Sequence, residues 1–418
     1  MKPIPCLLLA LALLSGCATT PPTPAPAPVK DRIVLLVSID GYRADYLDRH
    51  LSPTLEKLAA TGVHATAMQP SFPSLTFPNH YAIVTGKVPD HSGIVNNTMV
   101  DPALGRFSMG KREAVADGRW WEDAEPVWVT AERHGIHAAT MFWPGSEAAI
   151  EGIRPTHYLP WDEKVTPNAR VDQLLTWLDV PPAQRPRLAT LYFDAVDHQG
   201  HKFGPDSNEV NQAIVTTDHA MARLVAGLGQ RNLLGSVDLI VVSDHGMAPT
   251  PANQVILVDD IVDPSTVDVV ATGTLPSFNP LPGHDFTKAQ AKLLAPHEHM
   301  ACWRKADIPA RFNYGHHERV PAIVCLPDVG WQVTTKASLA KRTDPLSLGQ
   351  HGYDNADPSM RALFIANGPS FGRGVTIGEF PNVDVYDLIM HLLGLSPLPN
   401  DGSLAPLQPA LAGPTRSP

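Results

Sequence analysis

Two strongly apolar runs, Ile33-Val34-Leu35-Leu36-Val37 and Leu239-Ile240-Val241-Val242, each lead directly into an aspartate, Asp40 in SIDG and Asp244 in SDHG. Runs of this kind read as strands buried on both faces of a parallel sheet. A carboxylate at the exit of such a strand lies at the sheet's C-terminal edge, where open α/β sheets gather their ligand sites. Two more segments carry matching chemistry. DAVDHQGH supplies Asp197 and His201, QHGYD supplies His351, and SDHG itself adds His245. Three Asp and three His, divisible into two sets of three, suit two zinc-like ions that share a substrate, and manganese or iron accepts the same donors.

The length, 418 residues, admits one large α/β domain. Apolar β-rich segments at 33–38, 137–142, 188–193, 237–243 and 362–366 alternate with helical patterns at 55–60, 169–178, 208–228 and 383–393. That alternation predicts a mostly parallel sheet with helices on both faces. The pattern breaks between about 250 and 345, so this stretch reads as an insertion within a catalytic domain spanning 31–398. Residues 399–418 are Pro-rich and read as a tail over the surface. A net charge of −10 argues against a nucleic-acid scaffold that works by neutralising phosphates, but not against a small nucleotide. Nothing in the sequence calls for an oligomer, and a monomer is expected.

The N-terminus reads as a targeting segment rather than as part of the fold. A basic Met1-Lys2 precedes an apolar stretch too short to span a bilayer, which ends in Leu14-Ser15-Gly16-Cys17. This end resembles a bacterial lipobox. The resemblance implies that 1–16 are removed, that Cys17 is lipidated, and that the Pro/Ala-rich residues 18–30 tether the enzyme to the membrane. Ala18 after the cysteine favours the outer membrane, with the protein facing the periplasm. Cys302 and Cys325 then form an even pair in an oxidising compartment, and a disulfide is the preferred reading.

Thr76 stands two residues before Pro78 at the start of a predicted helix, where backbone N–H groups and the positive dipole end would face its hydroxyl. From local sequence alone it reads first as an ordinary helix cap. Its neighbours change that. The segments LLVSIDGYRADYL, SFPSLTFPNHYAIVTGKVPDHSGIVNN, WPGSEA, DHQGHKFGP, VVSDHGM and GQHGYDN together resemble the nucleotide pyrophosphatase/phosphodiesterase family of the alkaline phosphatase superfamily, from about 32 to 396.

The resemblance implies an alkaline-phosphatase-like fold and two zinc ions. Asp40, Thr76, Asp244 and His245 would hold one ion, and Asp197, His201 and His351 the other. Thr76 would be the nucleophile, and Asn97 would donate to a phosphoryl oxygen. The implied reaction is hydrolysis of nucleotide phosphodiester or pyrophosphate bonds to nucleoside 5′-monophosphates through a phosphothreonine. Two dications against three carboxylates leave one net positive charge, which suits a diester monoanion. Monoesterases of the superfamily add a Lys-x-Arg pair where residues 142–148 here carry no cation, although Arg154 follows.

Phe77, following the nucleophile, is a candidate to stack on a base, with Trp161 or Tyr158 as the opposite wall. Core packing explains the same aromatics. His198 could ligate by spacing but adjoins Asp197, and adjacent side chains diverge. His297, His299, His316 and His317 read as solvated loop residues. Rival readings are a phosphomonoesterase or choline/lipid-type phosphodiesterase on the same metals, and a non-catalytic lipid-anchored zinc-binding protein. The last leaves Thr76 and Asn97 unexplained.

Overall fold

A computed structural model describes residues 32–412. The run at Ile33–Ile39 (β1) is buried at all seven positions. Its alternate residues serve two cores: Val34 and Leu36 enter one cluster, while Ile33, Leu35, Val37 and Ile39 enter another. This follows from the two-residue period of a strand with helices on both faces. The other strands of the main sheet are Val63–Ala65 (β2), Ala138–Met141 (β3), His157–Leu159 (β4), Leu188–Phe193 (β5) and Val237–Val242 (β6). An inserted sheet contributes Val267–Ala271 (β7), Ser277–Pro280 (β8), Met300–Arg304 (β9) and Ile323–Pro327 (β10), and the main sheet is completed by Phe364–Asn367 (β11) and Val375–Ile377 (β12).

The eight-stranded order is β12-β2-β11-β6-β1-β5-β3-β4. β1 pairs in parallel with β5, Val34 opposite Leu188, and with β6, Ile33 opposite Val237. Only β11 runs against its neighbours in this sheet. The fold is therefore the expected mostly parallel α/β sheet. Its long helices are Pro53–Thr61 (α1), Thr76–Thr85 (α2), Pro167–Leu178 (α3), Ala195–Phe203 (α4), Asn208–Gln230 (α5) and Asp384–Leu393 (α6). None among the described residues is long and apolar enough to cross a membrane.

The stretch after β6 builds a unit of its own. β7 to β10 form an antiparallel sheet in the order β7-β8-β10-β9, with a separate cluster that includes Val258, Phe278, Leu293 and Ile323. Cys302 and Cys325 lie directly opposite one another on β9 and β10 and are joined by a disulfide.

The C-terminal expectation needs correction. Residues 405–410 form a short 3-10 helix whose Leu407 and Ala410 are fully buried in the main core, and Gly372 N–H donates to Ala410 O. The apolar members of this Pro-rich segment outweigh its prolines, which a 3-10 turn accommodates. The signal, the lipidation candidate Cys17 and the Pro/Ala-rich stretch lie outside the described residues.

Candidate functional site

The ends of β1, β5 and β6 and the start of α2 converge at the C-terminal edge of the sheet. Asp40 follows β1, Asp244 and His245 follow β6, and α4, directly after β5, carries Asp197 and His201 one turn apart. His351 comes from the loop beyond the inserted unit. These side chains form two groups, Asp40–Asp244–His245 and Asp197–His201–His351. In each group the three donor atoms lie within 4.8 Å of one another. The stacked rings of His245 and His351, centroids 3.5 Å apart, join the groups into one site.

Five of the six members, all but Asp197, are aimed from behind. One oxygen of Asp40 accepts from Tyr192 OH at 2.5 Å, and Oδ1 of Asp244 accepts from Gly41 N–H at 3.2 Å. That leaves Asp40 Oδ1, Asp244 Oδ2 and Asp197 Oδ1 buried with no hydrogen-bond partner. Gly41 is required by close approach as well as by its φ of +67°, since a Cβ there would lie 2.9 Å from Asp197 Cβ. The three imidazoles are oriented alike. Nδ1 of His201, His245 and His351 faces the carbonyls of Gly349, Gly246 and Ser74, each at 2.9 Å. A carbonyl only accepts, so Nδ1 carries a proton and each ring turns its Nε2 toward the site. Orphaned carboxylate oxygens facing imidazole lone pairs are the donor set of a bound divalent cation.

Electrostatics agree. Burial, with Asp244 and Asp197 close by, holds the Asp40 carboxyl well above the usual carboxylate range. Burial, with His245 and His201 close by, holds the His351 imidazole well below its usual value. These shifts describe one carboxylate, Asp40, in want of positive charge and one ring, His351, kept free to ligate, whereas Asp244 and His245 face each other and, despite burial, hold the carboxyl down and the imidazole up.

Thr76 is the first residue of α2, and its Oγ1 lies 3.3 Å from His245 Nε2. His80, one turn on, is fully buried; it spans Thr76 O at 2.9 Å and Ser38 Oγ at 2.8 Å, and lies 3.3 Å from Asp244. Its place one turn after Thr76 is the signal that the sequence offers for it. Phe77 N–H donates to Asn97 Oδ1 at 2.9 Å. A backbone N–H can only donate, so the Asn97 amide nitrogen is the end left free beside Thr76.

Thr76, Phe77, Phe142, Trp143, Trp161 and Tyr192 line a cavity of about 500 Å³. Phe77 and Trp161 thus share the space expected of them. Tyr158 does not line it. On β4, His157 stacks on Trp177 and Leu159 packs into the core, so the intervening Tyr158 turns to the other face, against Arg154. Phe142 and Trp143 supply wall in its stead. Arg154 itself donates to Glu147 O.

Two neighbours escaped sequence reasoning. Arg170 is buried, with its guanidinium 5.0 Å from the Trp161 ring and 2.7 Å from Asp194. Tyr192 reads in sequence as one more apolar strand residue. Of the remaining histidines, His198 is exposed, and His297, His299, His316 and His317 enter no potential ligand group among the described residues. His299 instead stacks on Trp331.

Comparison with known proteins identifies the family. The model for type I phosphodiesterase/nucleotide pyrophosphatase matches residues 34–354. An uncharacterized pyrophosphatase/phosphodiesterase of Schizosaccharomyces pombe is 40% identical over 88% of this chain and 78% of its own length. Ectonucleotide pyrophosphatase/phosphodiesterase family member 3 of Bos taurus is 36% identical over 92% of this chain, which spans 44% of that protein. A venom phosphodiesterase of Naja atra is 35% identical over 97% of this chain and 49% of its own length. The solved structure of murine ectonucleotide pyrophosphatase/phosphodiesterase 5 superposes with a TM-score of 0.86 at 35% identity, covering 91% of this chain and 100% of that one. An inactive threonine-to-alanine variant of the murine protein, solved in complex with AMP, matches equally well. The fold is accordingly that of the alkaline-phosphatase-like phosphodiesterases, and this chain belongs to the type I phosphodiesterase/nucleotide pyrophosphatase family.

Proposed function

We propose that this hydrolase cleaves phosphodiester or pyrophosphate bonds of nucleotides to nucleoside 5′-monophosphates, with two divalent cations and Thr76 as nucleophile. The observation that carries the reading is the pair of three-residue groups in one buried site, with orphaned oxygens and outward lone pairs, and Thr76 Oγ1 against one of them. Asp40, Asp244, His245 and Thr76 would hold one cation, and Asp197, His201 and His351 the other; zinc, manganese and iron all fit the donors. When bound, the cations would neutralise the phosphoryl oxygens and favour the ionised Thr76 hydroxyl.

The chain's own groups divide the remaining work. Thr76 Oγ1 forms a bond to phosphorus as the bond to the leaving oxygen breaks, giving a phosphothreonine diester that water later hydrolyses. The position of Thr76 at a helix N-terminus favours negative charge on its oxygen. Asn97, fixed by Phe77 N–H, offers its amide N–H to a phosphoryl oxygen. Phe77 and Trp161 line the space offered to a base, and the AMP complex of the murine relative supports a nucleotide as the ligand.

Rapid quenching during turnover of thymidine 5′-monophosphate p-nitrophenyl ester, followed by peptide mass spectrometry, tests the mechanism. A nucleotidyl adduct on Thr76, absent from Thr76→Ala along with at least about 10³-fold of the rate, is expected. Near-normal turnover by the variant contradicts the proposal, and p-nitrophenyl phosphate as the better substrate would favour a monoesterase. The lipobox-like end supports export and anchoring to the outer membrane facing the periplasm; fatty-acid labelling that persists in Cys17→Ser would refute the anchor.

A further inference from the structure

The connection between β9 and β10 of the inserted unit grips the segment that carries Asn97. Asp90 accepts from the backbone N–H groups of Gly315 at 3.0 Å, His316 at 2.9 Å and His317 at 2.9 Å. The buried Tyr314 hydroxyl donates to Val95 O at 3.0 Å. The buried Arg319 donates to Gly93 O at 3.0 Å and to Asp101 Oδ2 at 2.8 Å. Asn97 therefore stands between residues held at Gly93 and Val95 on one side and at Asp101 on the other.

The grip falls where the backbone has no other support. Residues 93–97 belong to no helix or strand, so no ladder of hydrogen bonds fixes them. Ile94 and Val95 are fully buried, but apolar burial is not directional. Phe77 N–H holds the Asn97 side chain by Oδ1, which aims the amide. How far the amide N–H reaches depends on where the backbone lies. A displacement of about 1 Å at such a group can cost about 10²-fold in rate. Neither Tyr314 nor Arg319 lines the cavity beside Thr76, so neither meets substrate there.

We propose that Tyr314 and Arg319 are positioning residues for the reaction, through which the inserted unit holds Asn97 at the phosphoryl oxygen. This rests on the role given to Asn97 above. Arg319 acts on a second wall too. It lies 5.0 Å from the Trp120 ring, Trp120 borders Phe107 at 5.2 Å, and Phe107 borders Phe77 at 6.0 Å. Tyr314 is the cleaner probe: Tyr314→Phe keeps the ring against Phe72, 5.4 Å away, and removes only the hydroxyl.

A double-mutant cycle in the cation-replete full-length enzyme tests this, with the thymidine 5′-monophosphate p-nitrophenyl ester as substrate. Tyr314→Phe should lower kcat about 5- to 10-fold with KM nearly unchanged, because the donor works in the transition state. In an Asn97→Ala background the same change should cost less than about 2-fold. Arg319→Lys, which keeps the charge and loses the fork, should also slow the wild-type background more than the Asn97→Ala background, with an added rise in KM. An equal loss in both backgrounds, or no loss from Tyr314→Phe in either, overturns the positioning role and leaves the two-cation reading intact. Full activity of Asn97→Ala itself overturns the role given to Asn97, and this inference with it.

Discussion

His201 Nε2 and His351 Nε2 lie 3.1 Å apart, although each ring already commits its Nδ1 proton to a backbone carbonyl. Two neutral rings so anchored turn lone pairs toward each other, an arrangement that a shared proton or a cation relieves. Asp197 lies 3.4 Å from one of these nitrogens and 3.5 Å from the other. The same construction recurs at His245, which points Nε2 between Asp244 at 2.9 Å and Asp40 at 3.5 Å. The protein thus holds five of the six donors in place through bonds made on their far sides, which is how ligand geometry is fixed before a cation arrives.

Tyr192 should matter to cation affinity without touching the cation. Its hydroxyl holds one oxygen of Asp40 at 2.5 Å and so aims the other. Tyr192→Phe keeps the ring in the core and removes that restraint. Zinc affinity at one of the two sites should fall about 10- to 100-fold, with the other unchanged. Competition titration against a chromophoric chelator measures both.

Arg170 should set nucleotide affinity and stability together. Its guanidinium pairs with Asp194 at 2.7 Å and lies 5.0 Å from the Trp161 ring. Arg170→Met leaves Asp194 unpaired in a part-buried place and should lower stability by about 2–4 kcal/mol in denaturant titrations. KM for a nucleotide substrate should rise more than kcat falls, because the wall loosens while Thr76 stays fixed.

Asp384 should make stability depend on pH away from the site. It is buried at the start of α6; Oδ1 accepts from Ser403 N–H at 2.8 Å and Oδ2 has no partner. Burial pushes its carboxyl up from 3.8 to about 6. Ionisation is therefore easier in the unfolded chain, and the stability tied to the protonated form, full below pH 3.8, is lost as pH rises through about 6. Asp384→Asn keeps the acceptor and removes the titration. It should gain about 1–2 kcal/mol at pH 8, after allowance for solvent screening, and little at pH 4. Unfolding curves at both pH values check the difference.

Much of this arrangement was legible in the chain because the site hangs on the two most apolar strands. Unbroken apolar runs marked β1 and β6, buried at every position, and their exits placed Asp40 and Asp244. The short strands β2, β4 and β12 carry too few residues to show a period, and the reversed direction of β11 is set by how the chain returns, not by composition. Tyr158 and Tyr192 show the same limit in the cavity: each is one aromatic in a β-strand, and only the strand's register decides which one faces Thr76. Arg170 sits in an amphipathic helix where a cation reads as solvated, and only the tertiary fold reveals its burial. Residues 399–412 misled because proline content outweighed Leu407 and Ala410.

The most direct test is anomalous diffraction from crystals of the full-length protein equilibrated with zinc. The account predicts two peaks about 3.5–4 Å apart, one among Asp40, Asp244 and His245 and one among Asp197, His201 and His351, with Thr76 Oγ1 beside the first. A single peak, or none at these residues in a preparation that turns over a nucleotide diester at full rate, would contradict it.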